Sequence, residues 1–257
     1  MQDLKVTLVQ PDVVWEDTRS NLAHYDQLLH EINNSDLVIL PEMFNSGFTM
    51  NAAPMAEKMD GETVEWMRTK AREKRAIITG SLIINDGGKY FNRLVWMESD
   101  GTYQSYDKRH LFRMADENLH YSGGASRLIV SAGEWKICPQ ICYDLRFPVW
   151  SRNRGDYHLL FFIANWPEAR SSAWNALLKA RAIENLCYCI GVNRVGADGN
   201  GIKYSGGSAA YGPKGEEIII IPDGESISTH TFSLAELLHF RKKFGAHLDA
   251  DRFEIIP

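Results

Sequence analysis

Several features are scarce or missing in this sequence, and each absence excludes a class of protein. The 257 residues contain no run of 18 apolar residues, so no segment is long enough to be a transmembrane helix. The N-terminus leads directly into a short apolar run, without the charged stretch and cleavage site of a secretory signal peptide. The net charge of -5 provides no positive field for nucleic acid. We therefore expect a soluble, cytoplasmic protein without a membrane or nucleic-acid partner.

Cysteine is also scarce, with four residues at Cys138, Cys142, Cys187 and Cys189. Four cysteines in a chain of this length are too few for a disulfide framework, which indicates free thiols and a reducing compartment. A zinc site would need Cys-x-x-Cys pairs or nearby histidines, and neither local pair has that spacing. The sequence therefore predicts no metal site.

The composition and the hydrophobic pattern indicate an α/β fold. The sequence is 44% hydrophobic and 24% charged, and no repeat or linker divides residues 1–257, so we predict one domain with a C-terminal tail at about 244–257. Apolar runs without alternation, such as Leu4 to Val9 and Leu37 to Leu40, are separated by segments with helical spacing. This pattern is typical of a sheet covered by helices on one face and by more protein on the other. Glycine-containing turns at 86–88 and 99–102 predict hairpins, and hence a mixed sheet.

The same reading predicts the remaining elements and a partner for the tail. Helices are expected from Asp17, over 62–74, from Ser171 or Ser172 to about 185, and from Ser233 to about 243. The tail ends in Phe253 to Pro257, which is too apolar for free exposure to water and suggests a homodimer. Further strands are expected at 76–84, 90–97, 103–106, 128–131, 135–141, 157–164, 186–192, 208–211 and 217–221, with loops at 107–126 and 196–207.

A candidate nucleophile lies where one predicted strand stops. Cys142 follows the strand that ends at Ile141, and Pro148 marks the next element, so the thiol would be held rigidly and could still reach a pocket. Cysteine is among the most buried residue types, and a core role fits this stretch as well. Strand alternation puts Cys138 and Cys142 on the same face, so the stretch alone does not choose between them.

Two charged residues also follow predicted strands. Glu42 comes after Leu37 to Leu40 and Pro41, and Lys108 comes after the strand at 103–106. The carboxyl ends of strands in α/β proteins open onto the crevice where ligands bind. A thiol with a pKa of about 8.5 needs a neighbouring base and a cation to become a nucleophile at neutral pH, so a base, a cation and a thiol together can perform acyl transfer. Each charged residue alone also fits a surface ion pair.

Together these segments resemble the nitrilase, or carbon-nitrogen hydrolase, superfamily. Three motifs in the right order are far more specific than one, and they select Cys142 over Cys138. The resemblance implies an α-β-β-α sandwich of nitrilase type with mixed sheets, and a homodimer. The matching segments are Leu40 to Glu42, Tyr106 to Phe112, Ile141 to Pro148, Ala164 to Pro167 and Lys179 to Asn185.

The resemblance also implies roles for individual residues. Cys142 is expected to be the nucleophile, Glu42 the general base and Lys108 the group that stabilises the tetrahedral intermediate. Glu117 is the best match to a second family glutamate that orients the lysine, and the backbone N–H of Tyr143 is the expected second donor to the oxyanion. The reaction passes through a thioester and requires neither a metal nor an organic cofactor.

Within the superfamily the sequence most resembles the omega-amidases, which hydrolyse the terminal amide of 2-oxoglutaramate and 2-oxosuccinamate. Such a substrate carries a carboxylate at its far end, which an arginine recognises best. The candidate arginines near the catalytic segments are Arg113, Arg146 and Arg170, and the candidate aromatic walls of the pocket are Phe44, Tyr121 and Trp166.

Three alternatives remain open on the sequence. Another amidase or an N-carbamoyl hydrolase could use the same three catalytic residues. A non-catalytic binding protein could have kept the fold. His110, His120 or His158 could instead activate the thiol in a papain-like Cys-His arrangement.

Overall fold

The fold is built from two large β-sheets and the helices that cover them, and a computed structural model describes residues 2–255. The helices are α1 (Thr18–His30), α2 (Ala52–Met55), α3 (Glu62–Lys74), α4 (Glu117–His120), α5 (Pro148–Ser151), α6 (Ser171–Asn185) and α7 (Leu234–Lys243). The strands are β1 (Leu4–Gln10), β2 (Leu37–Ile39), β3 (Ile77–Asp86), β4 (Lys89–Met97), β5 (Tyr103–Asp107), β6 (Val130–Ala132), β7 (Trp135–Ile141), β8 (Leu159–Ile163), β9 (Tyr188–Val192), β10 (Val195–Ala197), β11 (Lys203–Ser205), β12 (Ala209–Tyr211), β13 (Glu217–Ile220) and β14 (Ser226–Phe232).

Each large sheet has six strands, of which the three central ones are parallel. The first sheet has the order β14-β1-β2-β3-β4-β5, and the second has the order β13-β12-β9-β8-β7-β6. In the first sheet β1, β2 and β3 run parallel, and in the second β7, β8 and β9 do so. The outer strands of both sheets pair antiparallel with their neighbours. The prediction of mixed sheets is confirmed.

The layers follow from which face of each strand is apolar. The inner faces of the two sheets share one core, in which the rings of Trp96 and Phe161 stack with centroids 6.4 Å apart. Helices α1 and α3 cover the outer face of the first sheet, and α6 covers that of the second through Trp174 and Leu178. Strands buried on both faces require apolar side chains on both, which is why β2 and β8 read as unbroken apolar runs. The result is the predicted α-β-β-α sandwich.

The helix starts also follow from the sequence. The side chain of Asp17 accepts a hydrogen bond from the backbone N–H of Ser20 at 3.0 Å, so it caps α1 as predicted. Helix α3 ends at Arg75, whose φ of 52° lies in the left-handed region and stops the helical path before β3.

Three regions differ from the sequence prediction. Strand β14 was not predicted because its sequence, from Ser226 to Phe232, is largely polar, as suits an edge strand that pairs only with β1. The loop predicted at 107–126 contains a 3-10 helix at Arg113–Ala115 and the short helix α4. The glycine-rich loop at 196–207 contains most of the hairpin formed by β10 and β11.

The C-terminal tail packs partly against its own chain. A 3-10 helix spans Ala246–Asp249, the guanidinium of Arg154 lies 4.9 Å from the ring centroid of Phe253, and Ile255 packs against the shared core. Ile256 and Pro257, which also belong to the predicted apolar end, lie outside the described residues. Within 2–255, no helix combines the length and apolarity that crossing a membrane requires.

His158 gives the fold a pH-dependent contact that can be tested. Its Nδ1 accepts a hydrogen bond from the backbone N–H of Lys136 at 3.1 Å, which requires a neutral ring. Burial, together with the charges of Arg241 and Lys136, lowers the pKa of His158 from 6.5 to about 4. A depressed folded-state pKa stabilises the fold above pH 6.5, and this stabilisation is lost as the pH falls toward 4.

We predict that His158→Gln flattens the pH dependence of stability over this range. Because the ring is only partly buried and solvent screens its charge, wild type should lose only about 1 kcal/mol more unfolding free energy than the variant on acidification. Urea unfolding at several pH values measures this difference, with the exposed His247→Gln as a control that keeps the wild-type profile. Identical profiles for His158→Gln and wild type would contradict the assignment.

Candidate active site

The carboxyl ends of strands from both sheets open into one cavity of about 520 Å³. It is lined by Glu42, Lys108, Cys142 and Asn165, which follow β2, β5, β7 and β8 respectively. Strand β5 runs parallel to β3 because two antiparallel connections separate them, so its carboxyl end lies at the same edge of the sheet. The predicted convergence of a thiol, a base and a cation is therefore present.

Cys142 sits in a sharp turn between β7 and a 3-10 helix that spans Cys142–Arg146. Its φ of 43° lies in the left-handed region, which non-glycine residues rarely adopt. Such strain persists only where surrounding contacts impose it, and it is concentrated at functional sites. Cys142 lines the cavity, whereas Cys138 does not and is buried in the core beneath α6.

Lys108 is the centre of a buried charge cluster. Its side chain is 0% exposed, and its Nζ donates to Oε1 of Glu42 at 2.8 Å and to both carboxylate oxygens of Glu117 at 2.9 and 3.0 Å. The backbone N–H of Phe112 donates to Oε2 of Glu117 at 2.5 Å. Glu117 is therefore held against Lys108 from the loop in which the sequence placed it.

Two asparagines that the sequence reading did not select hold Glu42. The Nδ2 of Asn92 donates to Oε1 of Glu42 at 2.8 Å, and the backbone N–H of Asn165 donates to Oε2 at 2.9 Å. The Nδ2 of Asn165 also donates to the backbone carbonyl of Glu42 at 2.6 Å. Asn92 had one signal, since it is a polar residue within the apolar run of β4, and Asn165 directly follows a buried strand.

The pKa values of Cys142 and Lys108 are both raised in the cluster. Burial raises the pKa of the Cys142 thiol well above its usual value, and the negative charge of Glu42 raises it further, against the effect of Lys108. Burial disfavours charge on Lys108, but Glu117 and Glu42 outweigh it and raise the pKa of the lysine. The resting site therefore contains a neutral thiol beside a protonated lysine.

Asp144 connects the turn at Cys142 to the segment that carries Lys108. Its buried carboxylate accepts hydrogen bonds from the backbone N–H of Ile141 at 3.1 Å and from the hydroxyl of Tyr106 at 2.7 Å. It also contacts the backbone N–H of His110 at 3.0 Å and the ring Nδ1 at 2.7 Å. The ring of His110 stacks on Phe147 with centroids 3.8 Å apart. This network fixes the position of Cys142 relative to Lys108.

The histidines of the papain-like alternative lie elsewhere. His110 is bound to Asp144 as described, His120 is exposed at the end of α4, and His158 contacts Lys136. None of the three lines the cavity that contains Cys142. The geometry therefore favours Glu42 as the base.

The structure divides the predicted arginines. Arg146 and Arg170 line the cavity, as do Trp166 and Tyr143. Arg113 does not line it and is exposed on its 3-10 helix, so the structure corrects its assignment as a substrate-binding residue. The sequence could not separate the three because the direction of a side chain in a long loop depends on turns that only the fold defines.

The predictions for Phe44 and Tyr121 as pocket walls were wrong. The backbone turns at Met43, whose φ is 44°, so Phe44 points away from Glu42 into the core, with its ring centroid 5.2 Å from that of Tyr25. Tyr121 is buried behind the cavity, where its hydroxyl donates to the backbone carbonyl of Thr49 at 2.6 Å. Several cavity residues had no sequence signal because they come from segments far apart in the chain, among them Trp15, Glu16, Phe48, Asn51, Asp198 and Tyr204.

We predict that Asp144→Asn destabilises the protein by about 2–4 kcal/mol. The amide would present donor hydrogens to backbone and hydroxyl donors in a buried site and leave them unsatisfied. Urea unfolding measures this loss, and the exposed Asp223→Asn should change the unfolding free energy by less than about 0.5 kcal/mol. Equal effects of the two substitutions would show that the network does not hold the turn.

Comparison with known proteins places this chain in a family. The model of the family described as carbon-nitrogen hydrolase matches residues 5–242. Omega-amidase YafV of Escherichia coli strain K12 is 49% identical over 99% of this chain and 100% of its own, and a 2-oxoglutaramate amidase of Bacillus subtilis is 28% identical over 82% of this chain and 83% of its own. A crystal structure of a CN-hydrolase superfamily protein from Xanthomonas campestris, with an arsenic adduct in its active site, superimposes with a TM-score of 0.97 at 48% identity, over 99% of this chain and 100% of that one. The chain belongs to the carbon-nitrogen hydrolase family, within the nitrilase superfamily.

Proposed function

We propose that this protein hydrolyses the terminal amide of small 2-oxo acid amides, such as 2-oxoglutaramate and 2-oxosuccinamate, to the acid and ammonia. The observation that carries the proposal is 45–49% identity to omega-amidases along their whole length. The cavity supports it, because it brings a thiol, a carboxylate and an ammonium together with two arginines. No specific observation favours N-carbamoyl substrates.

The first half-reaction forms a thioester. The Cys142 sulfur attacks the amide carbon while Glu42 accepts the thiol proton, and the carbonyl oxygen becomes an oxyanion. The ammonium of Lys108 and the backbone N–H of Tyr143 stabilise that charge. Glu42 then returns its proton to the nitrogen, the carbon-nitrogen bond breaks, and ammonia leaves an acylated Cys142.

The second half-reaction releases the acid. Glu42 accepts a proton from water as the water oxygen attacks the thioester carbon, and Lys108 again stabilises the oxyanion. The carbon-sulfur bond breaks, and the thiolate regains the proton held by Glu42. Glu117 does not change its charge but keeps Lys108 protonated and directed at the reacting carbon. All atoms and protons balance without a metal or an organic cofactor.

The proposal also covers the domain organisation, the location and the oligomeric state of the enzyme. Residues 1–257 form one catalytic domain that acts in the cytoplasm as a homodimer. Phe244 and Leu248 support a dimer, since they are 54% and 80% exposed and apolar surface of this kind favours contact with a partner. A chain truncated after Ala246 should have a smaller assembly size in solution, and an unchanged size would exclude a role for the tail.

We predict that ammonia release is fastest with 2-oxoglutaramate and 2-oxosuccinamate in a panel that also contains glutamine, asparagine, N-carbamoyl amino acids and simple nitriles. An enzyme-coupled ammonia assay measures kcat/KM for each compound. Cys142→Ala should remove all activity while circular dichroism shows an intact fold. Activity confined to nitriles or carbamoyl compounds would contradict the proposed substrate class.

We predict opposite effects of Glu42→Gln on activity and on the ionisation of the thiol. Loss of the base should lower kcat by about 10²–10⁴-fold. Loss of the negative charge should lower the pKa of Cys142, because that charge raises it in wild type. The pH dependence of thiol alkylation measures the pKa, with His120→Ala as a control that changes neither property. If only the histidine substitution suppressed activity, a Cys-His mechanism would replace this one.

A further inference from the structure

We propose that Arg146 and Arg170 together clamp the 2-oxo carboxylate end of the substrate and thereby select 2-oxo acid amides over amino acid amides. This inference rests on the proposed function, because it specifies how the same cavity recognises the far end of the amide. It assigns the specificity to two residues that take no part in bond cleavage.

The carboxylates that line the cavity accept hydrogen bonds from other groups of the protein. Glu16 accepts hydrogen bonds from the hydroxyl of Thr49 at 2.5 Å and from Nδ2 of Asn51 at 3.1 Å. Asp198 accepts from the hydroxyl of Tyr204 at 3.0 Å and from two backbone N–H groups at 2.9 and 3.0 Å. Glu42 is held by Lys108 and by the two asparagines described above. These protein donors hold the three carboxylates in place.

The two arginine side chains at the cavity differ from these carboxylates. Arg146 and Arg170 both line the cavity, and within residues 2–255 neither forms an ion pair or a side-chain hydrogen bond. Each guanidinium carries five N–H donors and no acceptor. The free hydrogen-bond donors on this wall of the cavity therefore belong to two cations, which fit an anionic group of a ligand.

Aromatic rings hold both guanidiniums in place. The guanidinium of Arg146 lies 5.0 Å from the ring centroid of Trp166, and that of Arg170 lies 5.1 Å from the ring centroid of Phe112. The indole Nε1 of Trp166 also donates to the backbone carbonyl of Arg170 at 2.8 Å. Trp166 thus supports one arginine with its face and positions the other with its edge. An arginine oriented in this way loses less conformational entropy when it binds a carboxylate.

The same rings connect the arginines to the catalytic cluster. Arg146 lies four residues after Cys142 on the same 3-10 helix. The ring of Phe112 packs edge-on against that of Tyr143, with centroids 5.0 Å apart. The backbone N–H of Phe112 donates a hydrogen bond to Glu117. Both arginines therefore lie on or against the segments that carry the thiol and Glu117, as a clamp on a short linear substrate requires.

The chemistry of the far end explains the selection. A 2-oxo carboxylate presents only acceptor oxygens, which match two groups that only donate. In an amino acid amide an ammonium replaces the ketone oxygen, so a cation that only donates would face the two cationic guanidiniums. Repulsion against the wrong substrate then adds to attraction for the right one.

The test compares Arg146→Gln and Arg170→Gln with the matched control Arg113→Gln, an exposed arginine outside the cavity. The substrates are 2-oxoglutaramate, glutamine and butyramide, which lacks the charged end. We expect each cavity substitution to lower kcat/KM for 2-oxoglutaramate by about 10- to 100-fold, mainly through KM, because a charge-assisted hydrogen bond is lost. Butyramide should change by less than about threefold, and the preference for 2-oxoglutaramate over glutamine should narrow. The control should match wild type with all three substrates.

Three results would overturn the clamp. Equal losses of kcat/KM with butyramide and 2-oxoglutaramate would show a general effect on the site. Unchanged kinetics with 2-oxoglutaramate would show that the two arginines do not bind it. An equal loss in Arg113→Gln would show that the effect is not specific to arginines in the cavity. If wild type released no ammonia from 2-oxoglutaramate, the proposed function would fail and the clamp with it. The butyramide results distinguish these failures.

Discussion

The ion cluster of Lys108, Glu42 and Glu117 is the interaction on which the rest of the site depends. One ammonium lies between two carboxylates, and all three side chains are withdrawn from water. Removing charges from water costs several kcal/mol for each ion, so such a cluster persists only if further hydrogen bonds to the ions offset that cost. Asn92, Asn165 and the backbone N–H of Phe112 provide those hydrogen bonds. The surrounding core and these hydrogen bonds therefore hold the cluster together.

The two packed sheets position Glu42, Lys108 and Cys142, because each of these residues follows the end of a strand. Pro41 ends the first of these strands directly before Glu42, a second strand delivers Lys108, and a third ends at the strained Cys142. Asp144 then joins the turn at Cys142 to the segment after Lys108. Because the three groups come from different strands of two packed sheets, the distances among them are set by the core and not by flexible loops.

These features explain how far the sequence could predict the molecule. Glu42 and Cys142 were accessible because apolar runs mark the strands that they follow. Lys108 follows the polar strand β5, and the family resemblance of its segment identified it and selected Cys142 over Cys138. Side-chain direction beyond a strand end was not accessible, since it depends on single turns such as the one at Met43, which sends Phe44 into the core. Strand β14 was missed for another reason, because a polar edge strand has no apolar signal. Contacts between distant loops, such as those around Glu16, have no local pattern at all.

The central claim is that Cys142 carries the acyl group during the reaction, and one measurement tests it most directly. Wild type mixed with 2-oxoglutaramate is quenched rapidly in acid and analysed by intact mass spectrometry and peptide mapping. The account predicts an added mass equal to the acyl group, located on Cys142 and lost in step with release of the acid. Turnover without an adduct, or with an adduct on another residue, would contradict it.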